Sequence, residues 1–151
     1  MQEIGYISYC KSCGYRAYTK GLPVNMYKCA LCNAKLDVGG PLWVGNIKNT
    51  ECVNYIHKHL NDVTTDKVDF KLIDIISKEL PTPLVYSIPQ LTRILKVGSI
   101  NQHLLFDRLS NEYSVSNVHY DPNMLRTTAP YNVIIKTILS LYKERIKTQT
   151  T

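Results

Sequence analysis

The chain has 151 residues, 44% apolar and 20% charged, which suits one domain or two small joined ones and excludes wholesale disorder. Lys and Arg number 18 against 12 Asp and Glu, and the net charge of +6 leans toward an anionic partner. No apolar run nears the roughly 20 residues of a membrane helix. Residues 1–5 lack the basic stretch and apolar core of an export signal, so a cytoplasmic protein with no membrane contact is expected. The charge is uneven. Residues 1–49 carry six basic and two acidic side chains, residues 50–80 four and six, and residues 81–151 eight and four. Two basic ends flank an acidic connector, and a binding surface made by both ends is the simplest functional reading. Ordinary surface variation is the competing one.

The first elements are set by cysteines. Cys10-x-x-Cys13 and Cys29-x-x-Cys32 are separated by 15 residues, the spacing of a four-thiolate zinc site. Each pair turns two sulfurs toward one ion, and two such knuckles complete a tetrahedron. Gly14 and Asn33, directly after the pairs, suit the left-handed backbone of a knuckle. Short strands are expected over residues 5–9, 15–19, 27–29 and 35–38, with a hairpin turn at Gly21-Leu22-Pro23. Residues 1–49 thus read as a zinc ribbon. Two disulfides or a redox pair are the alternatives, but nothing points to an oxidising compartment and no βαβ pattern surrounds either pair. Four thiolates leave no open coordination position, so Cys10, Cys13, Cys29 and Cys32 are expected to hold a structural rather than a catalytic Zn2+. Cys52 falls in an expected helix and reads as a small buried residue. Tyr6, Tyr9, Tyr15, Tyr18 and Tyr27 alternate with Lys11, Arg16, Lys20 and Lys28. Such a mixture stacks on bases and pairs with phosphates, or else covers a small core. Roughly two of these tyrosines are expected to face a partner.

After Gly45 the period becomes helical. Val53, Ile56 and Leu60 share a face, with Thr50 as the cap, and residues 66–80 repeat it through Val68, Leu72, Ile76 and Leu80 until Pro81 and Pro83 intervene. Ser87-Ile88-Pro89-Gln90 and Ser99-Ile100-Asn101-Gln102 read as two capping boxes, each opening a short helix, with Gly98 ending the first. The second helix buries Ile100, Leu104, Leu105 and Leu109 and exposes Asn101, Gln102 and Arg108. Residues 113–120 and 125–128 form a hairpin through Asp121-Pro122-Asn123, and Pro130 opens a long helix to about residue 147 with Ile134, Ile138, Leu141 and Tyr142 inward. Two helices followed by a hairpin suggest a winged helix, so residues 50–151 read as a helical connector and a winged-helix-like domain, and the fold class is α+β.

There is no G-x-G-x-x-G, P-loop or G-x-S-x-G sequence, and no strand–helix alternation long enough for a cofactor-binding sheet. His57 and His59 point to different sides of their helix, and His103 and His119 are isolated. No acid–base pair or nucleophile triad emerges, so no catalytic residue is assigned.

Two stretches together resemble a known family. After the ribbon comes Gly39-Gly40-Pro41-Leu42-Trp43-Val44-Gly45, and later Tyr113-Ser114-Val115-Ser116-Asn117-Val118-His119-Tyr120-Asp121-Pro122, followed by Leu125-Arg126-Thr127-Thr128-Ala129-Pro130. Their order resembles the C-terminal domain of the archaeal and eukaryotic tRNA guanine-26 N2-dimethyltransferases. Glu112, Tyr120 and Arg126 stand where that family has Gly, Phe and Lys. The resemblance implies a tRNA substrate, S-adenosylmethionine as methyl donor and transfer to the exocyclic N2 of a guanine. It also implies that the donor-binding sheet and catalytic Asp-Pro motif lie in an N-terminal domain. The chain then reads as the tRNA-binding part: a split subunit, a fragment or a free-standing relative. It is expected to be inactive alone, with a separate methyltransferase chain as a partner; Met1 leans toward a natural start. His119 and Arg126, taken as facing each other across the wing, are expected to contact phosphate or a 2′-hydroxyl, with Lys11 and Arg16 contributing from the ribbon. Trp43 is expected to pack ribbon against helices. The competing readings are a DNA-binding transcription factor, weakened by a recognition helix with one arginine, and a zinc-stapled protein-interaction adaptor.

Overall fold

The structure is a computed structural model that describes residues 3–23 and 26–149; Met1 and the last two residues of the polar tail lie outside them. It is a mixed α/β chain with two small antiparallel sheets. In the first, β1 (Ile4–Tyr9), β2 (Arg16–Lys20) and β3 (Asp37–Trp43) lie in the order β2-β1-β3. The first CxxC fills the β1–β2 turn, where the Cys10 amide donates to the Tyr15 carbonyl and the Gly14 amide to the Cys10 carbonyl, both at 2.8 Å. The second repeats the pattern, with Cys29 donating to Ala34 at 2.8 Å and Asn33 to Cys29 at 2.9 Å. Gly14 and Asn33 are left-handed, at φ 78° and 59°, as their positions required. The strand expected over 27–29 is a single bridge, Lys28 to Lys35, whereas β3 runs on to Trp43 through Gly39 and Gly40. Only glycine serves at position 40, because a Cβ there would lie 2.5 Å from the Tyr6 ring.

Next, α1 (Thr50–His59) and α2 (Lys67–Lys78) form a hairpin through a 3-10 turn at Leu60–Asp62. Asn49, not Thr50, caps α1 by accepting from the Cys52 amide at 2.9 Å, and Asp66 caps α2 from the Val68 amide at 2.7 Å. Lys48 donates to the carbonyls of Ile76 and Ser77 at 2.6 and 3.0 Å, placing a cation on the last turn of α2. Neither helix buries a residue fully: Ile56, Val68 and Leu72, expected inside, are exposed, and so is Cys52. Helices that mainly cover each other leave much of an apolar stripe in water.

The second sheet joins β4 (Tyr86–Ser87), β5 (Val115–Asn117) and β6 (Met124–Thr127) in the order β4-β6-β5, beside α3 (Ile88–Ile94), α4 (Gln102–Ser110) and α5 (Tyr131–Gln149). Leu91, Leu105, Leu109, Leu125, Ile134 and Ile138 form its fully buried centre. Ser87 caps α3, but the Gln90 side chain leaves the box to bond Arg16 and the Tyr9 hydroxyl. Asn101, not Ser99, caps α4, while Ser99 receives Arg145. Leu104 is exposed, and the left-handed residue after α3 is Lys96 rather than Gly98. The hairpin turns at Asp121, whose carboxylate accepts from the Asn123 amide at 2.8 Å.

The cysteine-bearing sheet is fastened to the helices. The Tyr131 hydroxyl donates to the Cys13 carbonyl at 2.5 Å, and the Tyr15 and Tyr131 rings meet edge to face at 5.8 Å. Arg16 donates to the Val85 carbonyl at 2.6 Å and lies over the rings of Tyr9 and Tyr86. Trp43 does not take part. It is 56% exposed at the end of β3, its indole N–H donating to the Asn46 carbonyl, because tyrosines and Arg16 already fill the seam.

A Cβ at Gly14 would lie 2.7 Å from the Tyr131 hydroxyl and 2.9 Å from Ile94. Gly14→Ala is therefore expected to cost about 1–3 kcal/mol by overpacking, roughly 2–12 °C in Tm for a chain of this size. Gly21→Ala, at φ 75° with nothing within 4 Å, carries only the backbone strain and isolates the packing part in a calorimetric comparison.

Candidate metal centre and nucleic-acid interface

The four sulfurs of Cys10, Cys13, Cys29 and Cys32 all lie within 4.8 Å of one another. Cys10 and Cys32 are 3.4 Å apart and Cys13 and Cys29 3.5 Å apart. A tetrahedron with metal–sulfur bonds of about 2.3 Å has edges of roughly 3.8 Å, so the spacing fits a four-thiolate ion. Burial alone would raise the Cys10 thiol, but amide hydrogen bonds at Cys13 and Ser12 and the neighbouring thiols bring it down to about 7. Burial pushes the Cys13 thiol up instead. Cys10 and Cys29 are buried, and with Leu36 they form the hydrophobic cluster around the sulfurs.

The four residues expected to meet RNA are placed differently. Lys11 stands out from the first knuckle, its side chain 79% exposed, paired with Asp37 at 2.7 Å. An exposed pair of this kind is worth little and exchanges readily. Arg16 is committed to Val85, Gln90 and two tyrosine rings, so it acts in the seam. Arg126 is 5% exposed and does not stand at a wing surface. Its Nε donates to Glu79 at 2.7 Å, and its Nη1 reaches the carbonyls of Thr82, Pro83 and Leu84. Arg126 sits opposite Ser116 in the β5–β6 register, so it does not face His119 across the hairpin. Both meet Glu79 instead: His119 Nδ1 lies 2.7 Å from the second carboxylate oxygen. Burial opposes ionisation of Glu79, but hydrogen bonds from Arg126 and His119 outweigh it and hold its carboxyl below the usual range. Glu79 was missed in the sequence, where it looked like one more charge at the end of α2.

His119 also lines a cleft of about 630 Å3 with Lys71, Gln102, His103, Phe106 and Asn117. Of the three residues expected to be exposed on α4, Asn101 is the cap, Gln102 donates to the Pro122 carbonyl, and Arg108 forms a two-toothed pair with Glu144 of α5 at 2.8 and 2.6 Å. With Gln102 and Arg108 held within the chain, α4 is poorly armed to read a DNA groove. Of the five tyrosines near the cysteines, Tyr18 and Tyr27 are the exposed ones.

A family model described as N2,N2-dimethylguanosine tRNA methyltransferase matches residues 1–139. The chain belongs to that family. It is 31% identical over 146 residues to a tRNA (guanine(26)-N(2))-dimethyltransferase of Methanobrevibacter smithii, covering 93% of this chain and 38% of that protein. The enzyme of the same description from Methanosarcina acetivorans is 28% identical over 145 residues, 93% of this chain and 37% of its own length. The fold is similar to a solved structure described as Trm1 from Pyrococcus horikoshii in complex with S-adenosyl-L-methionine, with a TM-score of 0.75, 28% identity, and coverage of 90% of this chain and 35% of that one. The chain thus spans well under half the length of the relatives it matches. No helix among the described residues is long and apolar enough to cross a membrane.

Proposed function

We propose that this chain is the tRNA-binding part of a tRNA guanine N2-dimethyltransferase, a zinc ribbon over residues 1–49 joined to a helical connector and winged-helix-like unit over residues 50–151. One observation carries the reading: a single family match runs through both units, residues 1–139, while the chain spans only about 38% of a relative's length. Cys10, Cys13, Cys29 and Cys32 fit a structural zinc, and full thiolate coordination leaves it no place for substrate. The metal's part is to fix the first sheet, which presents Lys11 and Tyr27 on the outside. S-adenosylmethionine supplies the methyl group in the reaction the relatives are named for. No residue of this chain is assigned to it, and it enters through the remaining part of such an enzyme or a separate catalytic chain. The transcription-factor reading is disfavoured by the engaged polar groups of α4.

The test is a titration of the purified chain with an unmodified tRNA transcript at two salt concentrations. Binding is expected to weaken steeply with salt, by a little under one logarithmic unit per phosphate contact. Lys11→Ala should lower that slope by up to one such unit. Duplex DNA should compete poorly, since 2′-hydroxyls and folded RNA shape are the determinants. Equal affinity for duplex DNA, or methyl transfer by the chain alone, would overturn the reading.

A further inference from the structure

The geometry points to the cleft between α2, α4 and the His119 loop as a phosphate-binding site that takes the backbone of an RNA strand, with a base or ribose against Phe106. The inference rests on the tRNA-binding reading and says where on the chain it acts. The cleft's volume, about 630 Å3, lies within the roughly 300–1,000 Å3 of sites that enclose small ligands. Lys71, Gln102, His103, Asn117 and His119 supply its polar lining, and no carboxylate does. Among the described residues, the side chains of Lys71, His103 and Asn117 have no hydrogen-bond or ionic partner. They differ in this from Arg16, Arg108 and Arg126, whose cationic groups are held by the chain itself.

His119 adds a fixed donor or acceptor. Its Nδ1 is held on Glu79 at 2.7 Å, which fixes the ring at the wall of the cleft. The Glu79 charge does not repel an anion there, because the buried Arg126 offsets it at 2.7 Å. The Gln102 bond to the Pro122 carbonyl ties α4 to the hairpin turn and holds the rim in place. The site is made by side chains rather than by the start of α4, since Asn101 already accepts from the His103 and Leu104 amides. A lysine, two imidazoles and two side-chain amides beside one aromatic ring suit a phosphodiester with its base unstacked, not an apolar segment.

The experiment compares the full chain with Lys71→Ala, His103→Ala and the double variant. Both positions are exposed, and thermal melts confirm folding. The double variant is expected to bind tRNA at least fivefold more weakly at low salt, with its salt slope reduced by up to about one unit. The imidazole NMR signals of His103 and His119 should move when a short single-stranded RNA is added. Inorganic phosphate should move them only at far higher concentration. If tRNA binds and neither the double variant nor the imidazole signals respond, the cleft assignment fails while the tRNA reading stands. If the chain does not bind tRNA at all, both fail. Phosphate as effective as RNA would show a site for the free anion and overturn the assignment. Polyglutamate competing for the cleft as well as RNA would do the same in favour of an acidic protein.

Discussion

Replacing Cys10 with serine is expected to abolish stoichiometric zinc binding and to melt the first sheet in the same step. The hydrophobic cluster around the sulfurs is only Cys10, Cys29 and Leu36, far too little apolar surface to offset the ordering of the two knuckles. Structural zinc sites of this ligand type contribute roughly 10–16 kcal/mol of apparent binding energy, which is also folding energy. Elemental analysis should find one zinc per wild-type chain, and chelation should remove the dispersed NMR signals of the cysteine-bearing sheet. Cys52→Ser is the control, because Cys52 is exposed on α1 and apart from the cluster, so zinc content should not change. A folded first sheet in the metal-free Cys10→Ser protein would refute the assignment of zinc as its core.

The second large effect is expected at Glu79. Glu79→Ala leaves Arg126 buried with its charge uncompensated, and removing one partner of such a pair costs about 3–5 kcal/mol. His119 loses its anchor in the same substitution. The wild-type protein should show a related dependence on acid. Because the Glu79 carboxyl is held below its ordinary 4.5, the folded state binds fewer protons than the unfolded state across that interval. Its contribution is present above about pH 4.5 and is lost as pH falls through the lower, folded value. Denaturant melts from pH 7 down to 3 should show this loss in the wild type and a flatter profile in Glu79→Gln. Arg126→Ala belongs with these stability variants and not with the binding variants, because its guanidinium is enclosed.

Much of this was legible in the sequence where local chemistry decides. The two CxxC pairs, Gly14 and Asn33 require a knuckle whatever surrounds them, and the structure brings the four sulfurs together. Ser87, Asp66 and Pro130 mark helix starts in the same local way. Misreadings arose where two plausible local partners competed. Asn49 outcompeted Thr50, and Asn101 outcompeted Ser99, since asparagine reaches the second and third amides from just outside the helix. Long-range partners were invisible. Arg126 and Glu79 are 47 residues apart, and neither shows in the sequence that the other removes it from solvent. Arg16 likewise looked like a free cation until Val85 and Gln90 closed on it. Trp43 and Cys52 were assigned inward on residue type and Val68 on helical spacing, but all three are exposed.

The bond from Tyr131 to the Cys13 carbonyl spans 118 residues, and this separation has a consequence for biosynthesis. The cysteine set is complete once residue 32 has left the ribosome, so a metal can be captured early and the first sheet can form on the nascent chain. At ordinary elongation rates the tyrosine that clamps the first knuckle follows roughly 5–20 s later. During that interval the inner faces of Tyr9, Tyr15 and Arg16 have nothing to rest on. The early segment is therefore undocked until the last helix arrives, and any metal the four cysteines take can be in place before the seam closes.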